Sequence, residues 1–223
     1  MIFEHVTPEK EFVTYKRVDI NGKRHYTCPN GVYPSITTVL GSTADKSYLE
    51  AWRNKIGEDY ANKITAVSGG RGTNMHQMCE DYLNNKPLSI KMPDALEMFY
   101  SLKPILHRIN KIHCQETSLY SDKIKIAGSV DCIGEFDGVL SVIDFKNSRR
   151  IKKEDDIIDY FLQSTFYALA YNEMVGIKIS QVVIIIAVED DKPQYFIKPI
   201  RPYIEELVKR RKDFALLFKE SNL

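Results

Sequence analysis

No two of the four cysteines, Cys28, Cys79, Cys114 and Cys132, stand at Cys-x-x-Cys spacing, and none follows Cys132. That scatter supports neither a zinc ribbon nor a disulfide framework. Long apolar runs are also missing: the Ile/Val block 182–188 falls far short of the ~20 residues that a membrane-spanning helix needs. The opening Met1-Ile2-Phe3-Glu4-His5 lacks the basic and apolar regions of a secretory leader, so the sequence reads as cytosolic, with no membrane partner. Charge of one sign is absent as well. Thirty-one Lys and Arg against thirty Asp and Glu leave a net charge of +1, so a polyanion could be held only by a local patch. What is present is ordinary for a folded protein. A chain of 223 residues, 43% hydrophobic and 11% aromatic, can bury a substantial core without staples.

The expected organisation is α/β in one unit, 1–223, with 1–68 as an amino-terminal hairpin and helical extension on the core. Asn21-Gly22 marks a hairpin between 12–20 and 23–28, because both central residues of a type I′ turn take positive φ. Tyr33-Pro34 breaks the chain, Ser35 caps a short helix through Leu40, and Asp45 caps a longer one through Ile64. Gly69-Gly70-Arg71-Gly72 is expected to end that helix, with Thr73 capping the next, 74–83. Pro93-Asp94 opens another helix, with a kink expected at Pro104. Strands follow at 113–120, 125–136 and 139–146, then a helix over 156–175 capped by Gly176. A strand at 179–188 has the apolar run of one buried on both faces. A strand at 194–200 and a basic helix over 203–219 complete the chain.

One pairing stands out. A two-residue turn at Asp137-Gly138 sets Asp131 opposite Asp144, side chains on one face, with Lys146 two residues beyond on that face. Val130, Cys132, Ile133, Val142, Ile143 and Phe145 mark this hairpin as largely buried, where facing carboxylates repel unless a cation lies between them. A hard divalent ion suits such a pair, and Lys146 could orient or help deprotonate an attacking water. A buried Asp–Lys–Asp ion cluster that merely fixes the hairpin is the alternative for these three residues alone.

Gly128-Ser129-Val130-Asp131 followed by Ile143-Asp144-Phe145-Lys146 resembles the D…(D/E)-x-K signature of the PD-(D/E)XK nuclease superfamily. Gly72-Thr73-Asn74-Met75-His76 is similar to the G-T-x-x-H element of its RecB-like branch, and Gln163-Ser164-Thr165-Phe166-Tyr167 to that branch's Q-x-x-x-Y motif. Tyr33-Pro34-Ser35-Ile36-Thr37 with 49–52 resembles the amino-terminal region of mitochondrial, phage and bacterial exonucleases of this branch. The motifs occur in the family's order over roughly residues 33–190. The resemblance implies a central mixed sheet flanked by helices, the restriction-endonuclease-like fold. It implies His76, Asp131, Asp144 and the main-chain carbonyl of Phe145 as ligands for Mg²⁺ or Mn²⁺, with Lys146 serving the water. Gln163 and Tyr167 would position DNA, by bonding phosphate or stacking on a base. Glu116 resembles a family glutamate and is read first as structural. Some relatives hold an iron–sulfur cluster on late cysteines; none occurs here after Cys132, so no cluster is expected.

Arg71, Arg149, Arg150, Lys152 and Lys153 lie near these motifs and are assigned to phosphate tracking, with Thr73 also assigned to DNA binding, whereas the run Lys209-Arg210-Arg211-Lys212 is ambiguous. The expected function is a metal-dependent DNA exonuclease preferring single-stranded or frayed ends. It would act in replication, repair or recombination, with a recombination or replication protein as a possible partner, in bacterial or phage-infected host cytoplasm. A structure-selective or restriction-type endonuclease is the rival, and a non-catalytic DNA-binding subunit a third reading.

Overall fold

The computed structural model describes residues 2–7 and 11–219; Met1, 8–10 and 220–223, which belong to the expected unit 1–223, lie outside the described residues. Three short antiparallel strands come first: β1 (Lys16–Ile20), β2 (Lys23–Cys28) and β3 (Gly31–Pro34). β3 lies where the sequence reads only as a break. Pro34 has no N–H to donate, and it closes the pairing opposite His25 before Ser35 caps α1 (Ile36–Thr43). Ser35 holds that cap by accepting the Thr38 N–H at 3.0 Å.

The helical region departs from expectation. α2 (Ser47–Ile56) stops at Gly57, and α3 (Glu58–Leu83) then runs 26 residues without interruption through Gly69-Gly70-Arg71-Gly72. Thr73 is therefore not a cap. Its hydroxyl donates back to the Gly69 carbonyl at 3.0 Å, inside the helix. Tertiary packing outweighs the ~1 kcal/mol that each interior glycine costs. Arg71 is locked to Glu189 by two hydrogen bonds of 2.7 and 2.9 Å. Gly72 lies so close to β6 (Val139–Ser148) that a Cβ there would sit 2.6 Å from Asn147 Oδ1.

After α4 (Pro93–Leu106), β4 (Ile109–Ser121) and β5 (Ile126–Phe136) precede β6. α5 (Ile158–Val175), β7 (Gln181–Val188), β8 (Gln194–Pro199) and α6 (Ile204–Leu217) follow it. The main sheet has the order β4-β5-β6-β7-β8, with β6 and β7 parallel and the other neighbours antiparallel. α5 makes the crossover that a parallel pair requires. One sheet face packs Val142, Val182, Ile184 and Ile186 against Phe161, Phe166 and Tyr171 of α5, Val39 of α1 and Phe214 of α6. The other packs Ile143, Phe145, Val183 and Ile185 against Met75, Met78 and Cys79 of α3 and Phe99 and Leu102 of α4. β7 is thus buried on both faces, as its Val/Ile run implies.

Candidate metal centre and nucleic-acid cleft

The β5–β6 hairpin has the register that its Asp137-Gly138 turn dictates: Phe136 faces Val139, and Cys132 faces Ile143. The ladder ends there. β6 stays paired to β7 from Asp144 opposite Ile184 to Ser148 opposite Val188, so it parts from β5 where Asp131 and Asp144 would meet. In that gap Asp131 Oδ2 accepts the Phe145 N–H at 2.9 Å.

On its other side, β5 sets Gln115 opposite Cys132 and Thr117 opposite Val130, which brings Glu116 across from Asp131. Glu116, Asp131 and Asp144 therefore occupy one row across three adjacent strands. Glu116 has φ 44°, a left-handed conformation that takes it out of the ladder and that non-glycine residues rarely hold without cause. His76 reaches the row from α3, with Nδ1 3.4 Å from Asp131 Oδ2. One ligand atom each of His76, Glu116 and Asp131 lies within 4.8 Å of the others.

Asp144 is 1% exposed and ion-paired with Lys146 through Oδ2, and its other oxygen, Oδ1, has no hydrogen-bond partner among the described residues. Burial, with Asp131 adding to it, pushes its pKa upward against the pull of Lys146. Burial and the nearby carboxylates of Asp131 and Glu80 likewise push Glu116 up to about 7. Burial lowers the pKa of His76 although Asp131 opposes it, which favours the neutral imidazole that binds metals. For Lys146, burial opposes the charge, but Asp144 and Asp131 outweigh it and hold the pKa above its usual value. Its Nζ also lies 5.1 Å from the Tyr160 ring centroid. Crowded carboxylates, a buried Asp144 oxygen without a partner and a neutral imidazole fit a hard divalent cation.

A cavity of about 650 Å³ opens over this row. α3 walls it with Gly69, Gly72, Thr73, His76, Gln77 and Glu80; α5 contributes Gln163 and Tyr167; the β1–β2 hairpin contributes Arg17, Arg24 and Tyr26. Gln163 Nε2 donates to Tyr167 Oη at 3.4 Å. Gly128 makes room for that phenol, since a Cβ there would lie 2.9 Å from Tyr167 Oη. The Tyr167 ring cannot stack on a base: the residue is 2% exposed because α5 turns that face to the core.

The cavity thus gathers Thr73, His76, Asp131, Gln163 and Tyr167, with Asp144, Lys146 and Phe145 beside or beneath them. Arg71 is elsewhere, 6% exposed in its pair with Glu189, and Arg149 lies 3.5 Å from the same carboxylate, away from the cavity lining. Exposed Arg150 also lies off the lining. Arg210 and Arg211 turn inward: the first pairs with Asp159 at 2.9 Å, the second donates to the Ile124 carbonyl at 3.1 Å. Sequence reasoning missed Arg17, Arg24 and Asn147 and undervalued Glu116. Only Glu116 had a signal, its resemblance to a family glutamate preceding the hairpin.

This sheet and its carboxylate row define a nuclease-type site. Residues 91–219 match the PD-(D/E)XK nuclease superfamily model, and the chain belongs to that family. Asp131, Asp144, Lys146, Gln163 and Tyr167 fall within the match, whereas His76 precedes it. The chain is similar to mitochondrial genome maintenance exonuclease 1 of Homo sapiens, 30% identical over 145 residues, 60% of this chain and 40% of that protein. The Xenopus tropicalis protein of that description is 26% identical over 80% of this chain and 54% of its own, and the Mus musculus protein 25% over 73% and 52%. The chain spans about half the length of these curated relatives.

Proposed function

We propose that the chain is a divalent-metal-dependent deoxyribonuclease that degrades DNA from ends, preferring single-stranded or frayed substrate. The observation that carries this reading is the carboxylate row Glu116–Asp131–Asp144 beside His76 and Lys146 at the floor of a cleft. Asp131, Asp144, Glu116 and His76 would hold Mg²⁺ or Mn²⁺, joined by the Phe145 carbonyl. Bound there, the ion supplies a Lewis acid for the scissile phosphate and a lower pKa for water. Lys146 Nζ, kept charged chiefly by Asp144 and Asp131 against burial, is placed to exchange a proton with the attacking water and to offset charge on the phosphate. Gln163 and the Tyr167 hydroxyl hydrogen-bond the strand, and in-line hydrolysis leaves the phosphate on one fragment. The relatives' description as genome maintenance exonucleases supports a role in DNA replication, repair or recombination, with a protein partner from such a pathway.

Walls on three sides, from α3, α5 and the β1–β2 hairpin, favour entry by a free end. The test is a linear single strand against a circle of the same sequence, each with Mg²⁺, Mn²⁺ or chelator. Progressive loss of the linear strand, with the circle intact and no loss under chelation, is expected. Equal loss of both would promote the endonuclease reading.

A further inference from the structure

The β1–β2 hairpin lies outside the matched span 91–219, yet it forms one wall of the cleft. Its register places Arg17 opposite Tyr26 and Asp19 opposite Arg24. Side chains alternate along a strand, so Arg17, Asp19, Arg24 and Tyr26 share one face, the face whose Arg17, Arg24 and Tyr26 line the cavity. Both arginines are exposed, while Tyr26 is 2% exposed and packs with Cys28, Tyr33 and Ala127. The Arg17 guanidinium carbon lies 5.7 Å from the Tyr26 ring centroid, which gives a flexible side chain a firm base.

Among the described residues, neither guanidinium makes an ion pair within 4 Å. This sets them apart from Arg71, Arg108 and Arg210, each tied to a carboxylate at 2.9 Å or less. It does so in a cavity that holds Glu80, Glu116 and Asp131. Two cations therefore stay open beside an acidic floor that a metal would neutralise. A planar guanidinium is suited to phosphate oxygens, and the register makes Arg17 and Arg24 diagonal neighbours across the ladder, roughly 7–8 Å apart at the backbone.

The geometry points to Arg17 and Arg24 as a phosphate clamp: they grip the backbone of the nucleic-acid strand across the cleft from His76, Glu116 and Asp131. The clamp rests on the nuclease reading and adds to it the element that holds the substrate. It explains how a chain of net charge +1 holds a polyanion, with two local contacts in place of a long-range field. It also makes the hairpin a positioning device whose loss weakens binding rather than chemistry.

The test is the salt dependence of binding. A fluorescein-labelled single strand is titrated with wild type, Arg17→Ala/Arg24→Ala and Arg17→Lys/Arg24→Lys in chelator, from 50 to 200 mM KCl, with melting curves for each. Each phosphate contact on a single strand contributes about 0.7 to the slope of log K against log salt, so the double alanine variant should bind more weakly with a slope reduced by about 1.4. The lysine variant should recover most of that slope. With Mg²⁺, the alanine variant should raise KM and leave kcat largely in place. A wild-type slope in a folded alanine variant overturns the clamp alone. Wild type that neither binds single strands in chelator nor cleaves them with Mg²⁺ overturns both the clamp and the single-strand exonuclease reading on which it rests.

Discussion

Asp131 sits between two other carboxylates, and its replacement separates the cost of the site from its use. Asp131→Asn keeps an acceptor for the Phe145 N–H and removes the charge that Glu116 and Asp144 both feel. Without metal, this variant should melt at or above wild type. Saturating Mn²⁺ at ~100 times Kd should add about 2.7 kcal/mol to wild type, roughly 5–10 °C in Tm for a chain of this size, and almost nothing to the variant. Calorimetry with and without Mn²⁺ checks both statements, and an equal metal shift in the two proteins would remove Asp131 from the ligand set. His76→Ala should lower metal affinity more than it lowers Tm, with Mn²⁺ restoring more activity than Mg²⁺. A variant that melts far below wild type and that no metal rescues would make His76 a core residue. Lys146→Ala should lose turnover with metal affinity largely kept, as isothermal titration would show.

At the scale of elements, α3 carries the contrast between what sequence and structure tell. Three glycines in four residues read as a terminus, yet the helix continues because Arg71 and Glu189 tie it to the end of β7 and Gly72 admits Asn147. Beyond its chain neighbours and its own helix backbone, no atom lies within 4 Å of where a Cβ at Gly69 would stand, so Gly69→Ala should raise stability by about 0.5–1 kcal/mol. Gly72→Ala should lower it, since its Cβ would meet Asn147 Oδ1 at 2.6 Å. Urea unfolding of the pair distinguishes a continuous helix from a break, because alanine at a helix-ending glycine would destabilise both. The tie has its own pH signature. Arg71 holds the Glu189 carboxyl below its usual 4.5, so the folded state gains from this pair above about pH 4.5 and loses the gain as pH falls through the lower folded value. Glu189→Gln should therefore be less stable than wild type at pH 7, with the gap closing on acidification. A gap constant down to pH 3 would deny the pair its role.

For the molecule as a whole, the legible parts were those fixed by local rules. Asp137-Gly138 fixed the register that aligns Asp131 with Asp144, and the Val/Ile run of β7 its burial on both faces. The family motifs then placed His76, Gln163 and Tyr167 at one cleft. Long-range packing was not legible. No local signal says that Arg71 turns to Glu189, that Arg210 and Arg211 point inward, or that an amino-terminal hairpin brings Arg17 and Arg24 over the site. Cations singled out in sequence therefore lie off the cavity lining, and the two arginines on it, Arg17 and Arg24, carried no signal.

These scales meet in the claim that one carboxylate row holds the metal that makes the cleft a nuclease. The most direct measurement is product release from an end-labelled single-stranded oligonucleotide, with wild type and Asp131→Asn at equal folded concentration, each with Mg²⁺ and with chelator. The account predicts cleavage by wild type with Mg²⁺ alone, and none by the variant in either condition. Cleavage by wild type in chelator, or wild-type rates from Asp131→Asn with Mg²⁺, would contradict it.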